Sequence, residues 1–360
     1  MRNLFILFIF PILLLQSPAK DFEKTLSLAS EGDAVAQAKL GAMYAKGAGV
    51  PENDAEAVKW FRKAAEQGNA NAQFLLSAMY AGGEGIPQND AEALKWVRKA
   101  ADQGDAAAQY SLGGRYVTGE GVPQSDVEAL KWLHKAADQG DADAQLLLGY
   151  IYNGGNIAPE NKVESAKWFR KAAEQGSAAA QTRLSDMYTK GAGVPKNDVE
   201  ALKWIRRAAD QEDAVAQTRL GFMYAKGTGV LKNDAEALKW FRKAADQGHA
   251  QAQHNLAFMH EEGEGVPKND AEAAKWYRKA ADQGHAEAQA ALGVMYAAGT
   301  GVEPNSVESY KWFLVSGAAG HDPAKLSSTL LENILTPEER AEGQRQALEL
   351  FKRLNSEDEK

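Results

Sequence analysis

The sequence predicts an all-α protein: an α-solenoid of eight 36-residue helix-turn-helix repeats over residues 33–320, with terminal capping helices. Tryptophan and glutamine each recur at steps of 36 residues, and no insertion interrupts the eight copies. Self-similarity at a period of about 20–50 residues is typical of repeat architectures, in which stacking buries what one unit cannot bury alone. The recurring tryptophans are Trp60, Trp96, Trp132, Trp168, Trp204, Trp240, Trp276 and Trp312.

The first helix of each repeat is predicted by core-type residues at the helical period. In the first copy these positions are Gln37, Leu40, Gly41 and Tyr44. Their spacing of i, i+3, i+4 and i+7 places them on one helix face. Gly47 follows at the position of a left-handed C-terminal cap, so we expect the helix to end there.

The second helix is predicted by its start and stop signals. Asn53 precedes Glu56 by three residues, which is a capping-box pattern that recurs in the later copies. Gly68 marks the end, after about Gln67. We therefore interpret Glu56 and its equivalents as helix-cap residues rather than catalytic carboxylates, and we expect two antiparallel helices in each copy.

The two ends of the chain differ from the repeats. Residues 1–19 combine a basic start, an apolar run and small residues, which is typical of a cleaved secretory signal peptide. A retained membrane anchor is the alternative, but the apolar run is short for one. We expect residues 20–32 to form an N-terminal capping helix, and residues 321–360 to form C-terminal capping helices, the last of them starting at Thr336.

Composition limits the function. The chain has no cysteine, so an exported fold would use no disulfides. A net charge of −8 is a poor match for nucleic acid or anionic lipid, and we expect neither as a partner. After removal of the leader, no remaining stretch approaches the length of a membrane span.

The repeat resembles a known family. Each copy approximates Ala-x-Ala-Gln-x-x-Leu-Gly-x-Met-Tyr-x-x-Gly-x-Gly-Val-Pro, followed by Asp-x-Glu-Ala-x-Lys-Trp-Phe-Arg-Lys-Ala-Ala-x-Gln-Gly. This pattern is similar to the Sel1-like repeat, a relative of the tetratricopeptide repeat. The resemblance implies a right-handed superhelix whose first helices line the concave surface, and an adaptor role in bacterial envelope or secretion pathways. Local departures include Glu212 for glycine, Leu231 for proline and His260 for tyrosine.

No catalytic motif stands out, so we expect no enzyme, no cofactor and no metal. Five of the six histidines lie beyond residue 248, and His249, His285 and His321 occupy equivalent positions. Equivalent residues of successive repeats should lie about 10 Å apart, which is too far to share a metal ion. We interpret the tryptophans as packing residues rather than carbohydrate-stacking platforms.

Positions that differ between copies are free to serve a ligand. On the first helices, the face next to the scaffold face carries two apolar-aromatic patches, separated by charged residues. Aromatic anchors among scattered charges are typical of interface hot spots, although the rings could instead pad the inner curve of the superhelix. The candidate groove residues are Phe74, Tyr110, Leu146, Tyr150, Arg183, Asp186, Arg219, Phe222, His254 and Phe258.

The leading hypothesis is an exported, monomeric adaptor in the periplasm or outside the cell, which binds a peptide or helix of another protein in this groove. Alanine at Tyr150 and Phe222 should then weaken partner binding with little loss of stability. The alternatives are a β-lactam-binding or β-lactam-hydrolysing enzyme, as proposed for cysteine-rich members of the family, and a protein that binds cell-wall glycan.

Overall fold

The computed structural model describes residues 18–357, and within this range it contains nineteen α-helices and no strand. The predicted all-α class is therefore confirmed. The predicted signal peptide, residues 1–19, lies outside the described residues except for its last two positions. The described residues fall into two compact units that meet in sequence between Asn161 and Lys162.

The first unit contains a single helix, three helix pairs and the first helix of a fourth repeat. Each pair consists of a first and a second helix of one repeat, joined by a glycine-containing loop. Its helices are α1 (Pro18–Ser30), α2 (Ala34–Lys46), α3 (Asp54–Glu66), α4 (Ala70–Gly82), α5 (Asp90–Asp102), α6 (Ala106–Thr118), α7 (Asp126–Asp138) and α8 (Ala142–Gly154).

The second unit begins with the second helix of a repeat and ends with two helices outside the repeat pattern. Its helices are α9 (Lys162–Glu174), α10 (Ala178–Lys190), α11 (Asp198–Ala209), α12 (Ala214–Lys226), α13 (Asp234–Asp246), α14 (Ala250–Glu262), α15 (Asp270–Ala281), α16 (Ala286–Ala298), α17 (Ser306–Ala318), α18 (Asp322–Glu332) and α19 (Pro337–Glu357).

The caps follow the predicted pattern in part. Asn89 accepts a hydrogen bond from the backbone N–H of Glu92, which confirms it as the N-cap of α5. The Glu92 carboxylate, however, accepts from Lys95 at 2.9 Å and from the indole N–H of Trp96 at 3.1 Å. Glu128, Glu272 and Glu308 bind a lysine and a tryptophan on their own helix in the same way, in place of the backbone contact that a capping box would give.

A glycine in the first helix allows the two helices of a pair to approach closely. Gly221 on α12 faces the ring of Phe241 on α13, and a Cβ atom at this glycine would lie only 2.7 Å from the ring. Gly41 and Gly293 face Phe61 and Phe313 in the same way. Because interiors are close-packed, any larger residue would force the helices apart.

The recurring glutamine of the first helix connects three helices. The side-chain amide of Gln217 on α12 donates to the carbonyl of Ala209 on α11 at 3.2 Å. Its carbonyl oxygen accepts from the amide of Gln247, at the end of α13, at 2.8 Å. Both bonds recur in other copies: the buried glutamine donates to a carbonyl of the preceding helix, and a second glutamine, thirty residues later, donates to the buried one. They are present at Gln37, Gln73, Gln109, Gln181 and Gln253.

The tryptophans serve packing, as predicted. Seven of the eight are buried, and Trp60 is half-buried. A lysine one turn later covers the ring in several copies, as with Lys171 over Trp168 at 3.9 Å and Lys279 over Trp276 at 3.8 Å. A covered ring cannot stack on a sugar.

The last helix does not continue the repeat. α19 packs against α17 rather than against α18, the helix that precedes it. Its Gly343 lies against the ring of Tyr310, and its Arg353 reaches Asp282 at the end of α15, at 3.3 Å. Thr336 and Glu339 form both bonds of a capping box at its start, where the sequence predicted that the last helix begins.

We expect Glu212→Gly to stabilise the protein. Among residues 18–357, Glu212 is the only non-glycine residue with positive φ (66°), and the corresponding turn in the other copies has glycine. A left-handed conformation costs an L-residue roughly 1–2 kcal/mol, so removing the side chain should raise the free energy of unfolding by about 1 kcal/mol.

Chemical denaturation followed by circular dichroism measures this change. Gly248→Glu, which places the same side chain in the next turn of the same type (φ 91°), is the reciprocal variant and should be destabilised. An unchanged or lower midpoint for Glu212→Gly would show that the surroundings compensate for the strain at this turn.

Candidate functional site

In the first unit, the predicted groove residues form a row of partly exposed apolar side chains on three first helices. Phe74 on α4, Tyr110 on α6 and Leu146 on α8 are half-buried, and Tyr150 on α8 is 36% exposed. Burial raises the pKa of the Tyr110 hydroxyl, and nearby aspartates add to the effect. The Tyr110 hydroxyl is therefore uncharged at neutral pH.

In the second unit, the predicted charged residues form an ion pair. Asp186 on α10 binds Arg219 on α12, while Arg183 lies exposed on α10. Phe222 packs edge-to-face on Phe241, with ring centres 5.2 Å apart. Truncation of Phe222 would therefore remove packing as well as a candidate contact, so the expectation that it leaves stability unchanged is weakened.

Phe258 belongs to an apolar stripe that is longer than the sequence reasoning proposed. It is 44% exposed on α14, and Val294, the equivalent residue of α16, is 57% exposed. Leu330 on α18 occupies the same position one step of 36 residues further on and is also 57% exposed. Val294 and Leu330 were missed because the predicted patches ended with the seventh copy, although the same 36-residue step leads into α18.

The histidines meet in a way that the repeat spacing did not predict. His254 on α14 stacks on His285, the N-cap of α16, with ring centres 4.7 Å apart and planes 21° apart. His249 lies in the same region and bonds the hydroxyl of Thr218 at 2.9 Å. Within residues 18–357, no group of three or more metal-binding side chains could hold an ion.

Burial lowers the pKa values of His254 and His285. For His285 the charge of His254 lowers the pKa further, and the carboxylate of Glu287, at 3.4 Å, opposes both effects. The Nδ1 atom of His285 also accepts from the backbone N–H of Ala288 at 3.3 Å, which requires an unprotonated Nδ1. The stacked pair is therefore neutral at pH 7.

The repeat is recognised by the sequence profile described as "Sel1 repeat". The profile matches eight consecutive segments, residues 34–69, 70–105, 106–141, 142–177, 178–213, 214–249, 250–285 and 286–321. The chain belongs to the Sel1 repeat family. Sel1 repeat solenoids are typically non-enzymatic scaffolds for protein interaction, and the fold of this chain indicates such a scaffold.

Solved structures of similar proteins match most of the chain. A Sel1 repeat protein from Oxalobacter formigenes is 32% identical, with 88% of this chain and 94% of that chain covered and a TM-score of 0.66. A protective antigen present in uropathogenic Escherichia coli strains, displaying an SLR fold, is 29% identical, with 94% and 88% covered and a TM-score of 0.64. No curated protein matches the sequence.

No helix in the described part of this Sel1 repeat chain is long and apolar enough to cross a membrane.

We expect acid to destabilise the seventh and eighth Sel1 repeats through the stacked histidines. The folded-state pKa of His285 lies below the unfolded value of about 6.5, so the unfolded chain binds more protons. The stabilising contribution of neutral His285 is therefore fully present above about pH 6.5. It is lost as the pH falls from that value through the folded pKa.

His285→Ser tests this expectation, because Ser177 caps α10 at the equivalent position. Thermal melting between about pH 7.5 and about pH 5, a range that spans the unperturbed histidine pKa, should show a smaller pH slope for this variant than for the wild type. Ser177→Asn, which changes the equivalent N-cap without adding or removing a titratable group, should keep the wild-type slope. Equal slopes for all three proteins would exclude the stacked pair as the source.

Proposed function

We propose that this Sel1 repeat protein is an exported adaptor that binds a segment of another protein along the first helices of its second unit. The observation that carries the proposal is the apolar stripe, defined as Phe222, Phe258, Val294 and Leu330. These residues occupy one position on four first helices, one 36-residue step apart, and three of them are more than two-fifths exposed. A row of exposed apolar side chains on a soluble fold is typical of a protein-interaction site.

The charges beside the stripe suggest the chemistry of the partner. Arg183 and Lys226 are exposed on α10 and α12, whereas Glu262 is exposed on α14. The stripe thus has basic neighbours at its start and an acidic neighbour further along. The matching partner is an amphipathic segment with apolar anchors, an acidic residue facing α10–α12 and a basic residue facing α14.

Three observations support export. The first 19 residues have the composition of a secretory leader, and the chain has no cysteine that would oxidise outside the cytosol. The similar protein from uropathogenic Escherichia coli is a protective antigen, as expected of a protein that immune molecules can reach. In this proposal the mature adaptor acts in the periplasm or outside the cell.

The row formed by Phe74, Tyr110, Leu146 and Tyr150 in the first unit is proposed as a second, separate contact surface. Its members are less exposed than Phe258, Val294 and Leu330 of the stripe, and its most exposed member is Tyr150 at 36%. Tyrosine contributes a large rigid surface with a polar end, a combination that is enriched at interfaces.

We expect Phe258→Ser combined with Val294→Ser to weaken partner binding at least tenfold while the fold stays intact. Truncating an interface anchor typically costs 2 kcal/mol or more, and a tenfold change corresponds to about 1.4 kcal/mol. Phe258 and Val294 are 44% and 57% exposed, so each substitution should lower the free energy of unfolding by only about 1 kcal/mol.

Affinity capture from an envelope extract, followed by a titration of the captured protein, measures the effect. Val127→Ser combined with Val199→Ser is the matched control, because these valines are 76% and 65% exposed on second helices. A partner retained by the wild type and the control, but lost by the stripe variant, supports the proposal. Retention of the partner by all three proteins would show that it binds a surface other than the stripe. Capture of no protein would exclude a stable protein partner.

A further inference from the structure

The pair of hydrogen bonds made by the buried glutamine of the earlier repeats is incomplete at the last repeat. Gln289 on α16 is fully buried, and its amide donates to the carbonyl of Ala281 at 3.0 Å, as in the earlier copies. Its carbonyl oxygen is buried without a hydrogen-bond partner among the described residues. The residue thirty positions later, which supplies the partner in the earlier copies, is Ala319 instead of glutamine.

The backbone at Ala319 has the geometry of the earlier copies. Its φ and ψ are −76° and 5°, compared with −80° and 1° at Gln67, the equivalent residue of the first repeat. The backbone here could therefore carry a glutamine as in the earlier copies, but Ala319 supplies no donor to the Gln289 oxygen. Burying a polar atom without a partner is costly, so this oxygen favours any group that can donate to it.

A cavity of about 400 Å³ lies at this position. Its walls include Gln289, Val315 and Ala319 from the eighth repeat and Phe351, Leu354 and Asn355 from α19. Helix α19, which packs on α17, thus closes one side of a space that would otherwise be open. The cavity combines an apolar wall with a buried acceptor, as small-molecule sites usually do.

We propose that this cavity binds a primary carboxamide, the side-chain group of glutamine or asparagine, from a molecule other than this chain. The earlier copies define how the group is held. The amide of Gln283 donates to Gln253 at 2.7 Å and also to the carbonyl of Lys279, four residues before it, at 3.2 Å. At the eighth copy the corresponding acceptors are the Gln289 oxygen and the Val315 carbonyl.

Two acceptors and one available donor select the ligand chemistry. A primary amide nitrogen has two hydrogens, one for each acceptor, and its carbonyl oxygen can accept from the side-chain amide of Asn355, which lines the same cavity. A carboxylate has no hydrogen to donate and would face two oxygens. An ammonium group can donate, but it would lose its hydration against Phe351 and Leu354.

The test uses three matched probes: the N-acetyl, C-methylamide derivatives of glutamine, glutamate and lysine. Each is titrated into the full mature chain while the side-chain amide signal of Gln289 is followed by NMR. The glutamine derivative should shift this signal saturably, and the other two should not. Equal shifts from the glutamate or lysine derivative, or no shift from the glutamine derivative, would overturn the assignment.

Two variants distinguish the cavity from other surfaces. Ala319→Gln supplies the carboxamide from the chain itself, so it should raise the melting temperature and abolish the response to the glutamine derivative. Ala341→Gln, at an exposed position on α19, should bind the probe like the wild type. A response that persists in Ala319→Gln would place the probe elsewhere and overturn the proposal.

A glutamine-containing tripeptide is then titrated in the same way. Binding of the glutamine derivative but not of the tripeptide would assign the site to a small amide. Binding of both would assign it to the side chain of a polypeptide. The site is independent of the apolar stripe, so the Phe258 and Val294 variant should retain probe binding whatever its effect on the protein partner.

Discussion

The buried glutamine of each first helix is the interaction on which the stack depends most. Its side-chain amide donates to one carbonyl in the last turn of the preceding helix, as at Ala209, where backbone carbonyls lack donors within their own helix. At Gln37, Gln73, Gln109, Gln181, Gln217 and Gln253 it also accepts from a second glutamine at the end of the following second helix, so one side chain fixes the relative position of three helices. Apolar packing alone would allow sliding, because alanine surfaces are smooth and similar in every copy. The directional amide bonds select one register, as buried polar groups do when they are fully satisfied.

The regular part of the fold could be predicted from the sequence because its causes are local or strictly periodic. The step of 36 residues, the glycine after each first helix and the asparagine before the second fix where helices begin and end. Gly47, for instance, has a φ of 64°, as a left-handed cap requires. The role of the repeated glutamate was only half predicted. Its backbone is capped, but its carboxylate binds a lysine and a tryptophan, and side-chain partners on one helix face depend on rotamers that sequence spacing does not determine.

The candidate site was predicted less completely. Comparing copies identified the variable face and most of the stripe, since positions that differ between repeats are those the scaffold leaves free. It did not show that Phe222 rests on Phe241, that His254 stacks on His285, or that α19 packs on α17. These contacts join residues that have no fixed offset within the repeat, so the period carries no information about them. Leu330 is exposed because α19 packs on α17 and leaves this side of α18 uncovered.

The departures from the repeat have a common location. The strained turn at Glu212, the histidine stack, the replacement at Ala319 and the apolar stripe all belong to the second unit. A sequence that repeats a successful unit eight times could keep each of these positions regular at no structural cost, and the first unit largely does. Violations of local rules concentrate where a protein has been adapted for a purpose other than stability. By this argument the departures from the repeat support the two sites proposed in the second unit, the stripe for a protein segment and the Gln289 cavity for a carboxamide, alongside the contact row proposed in the first unit.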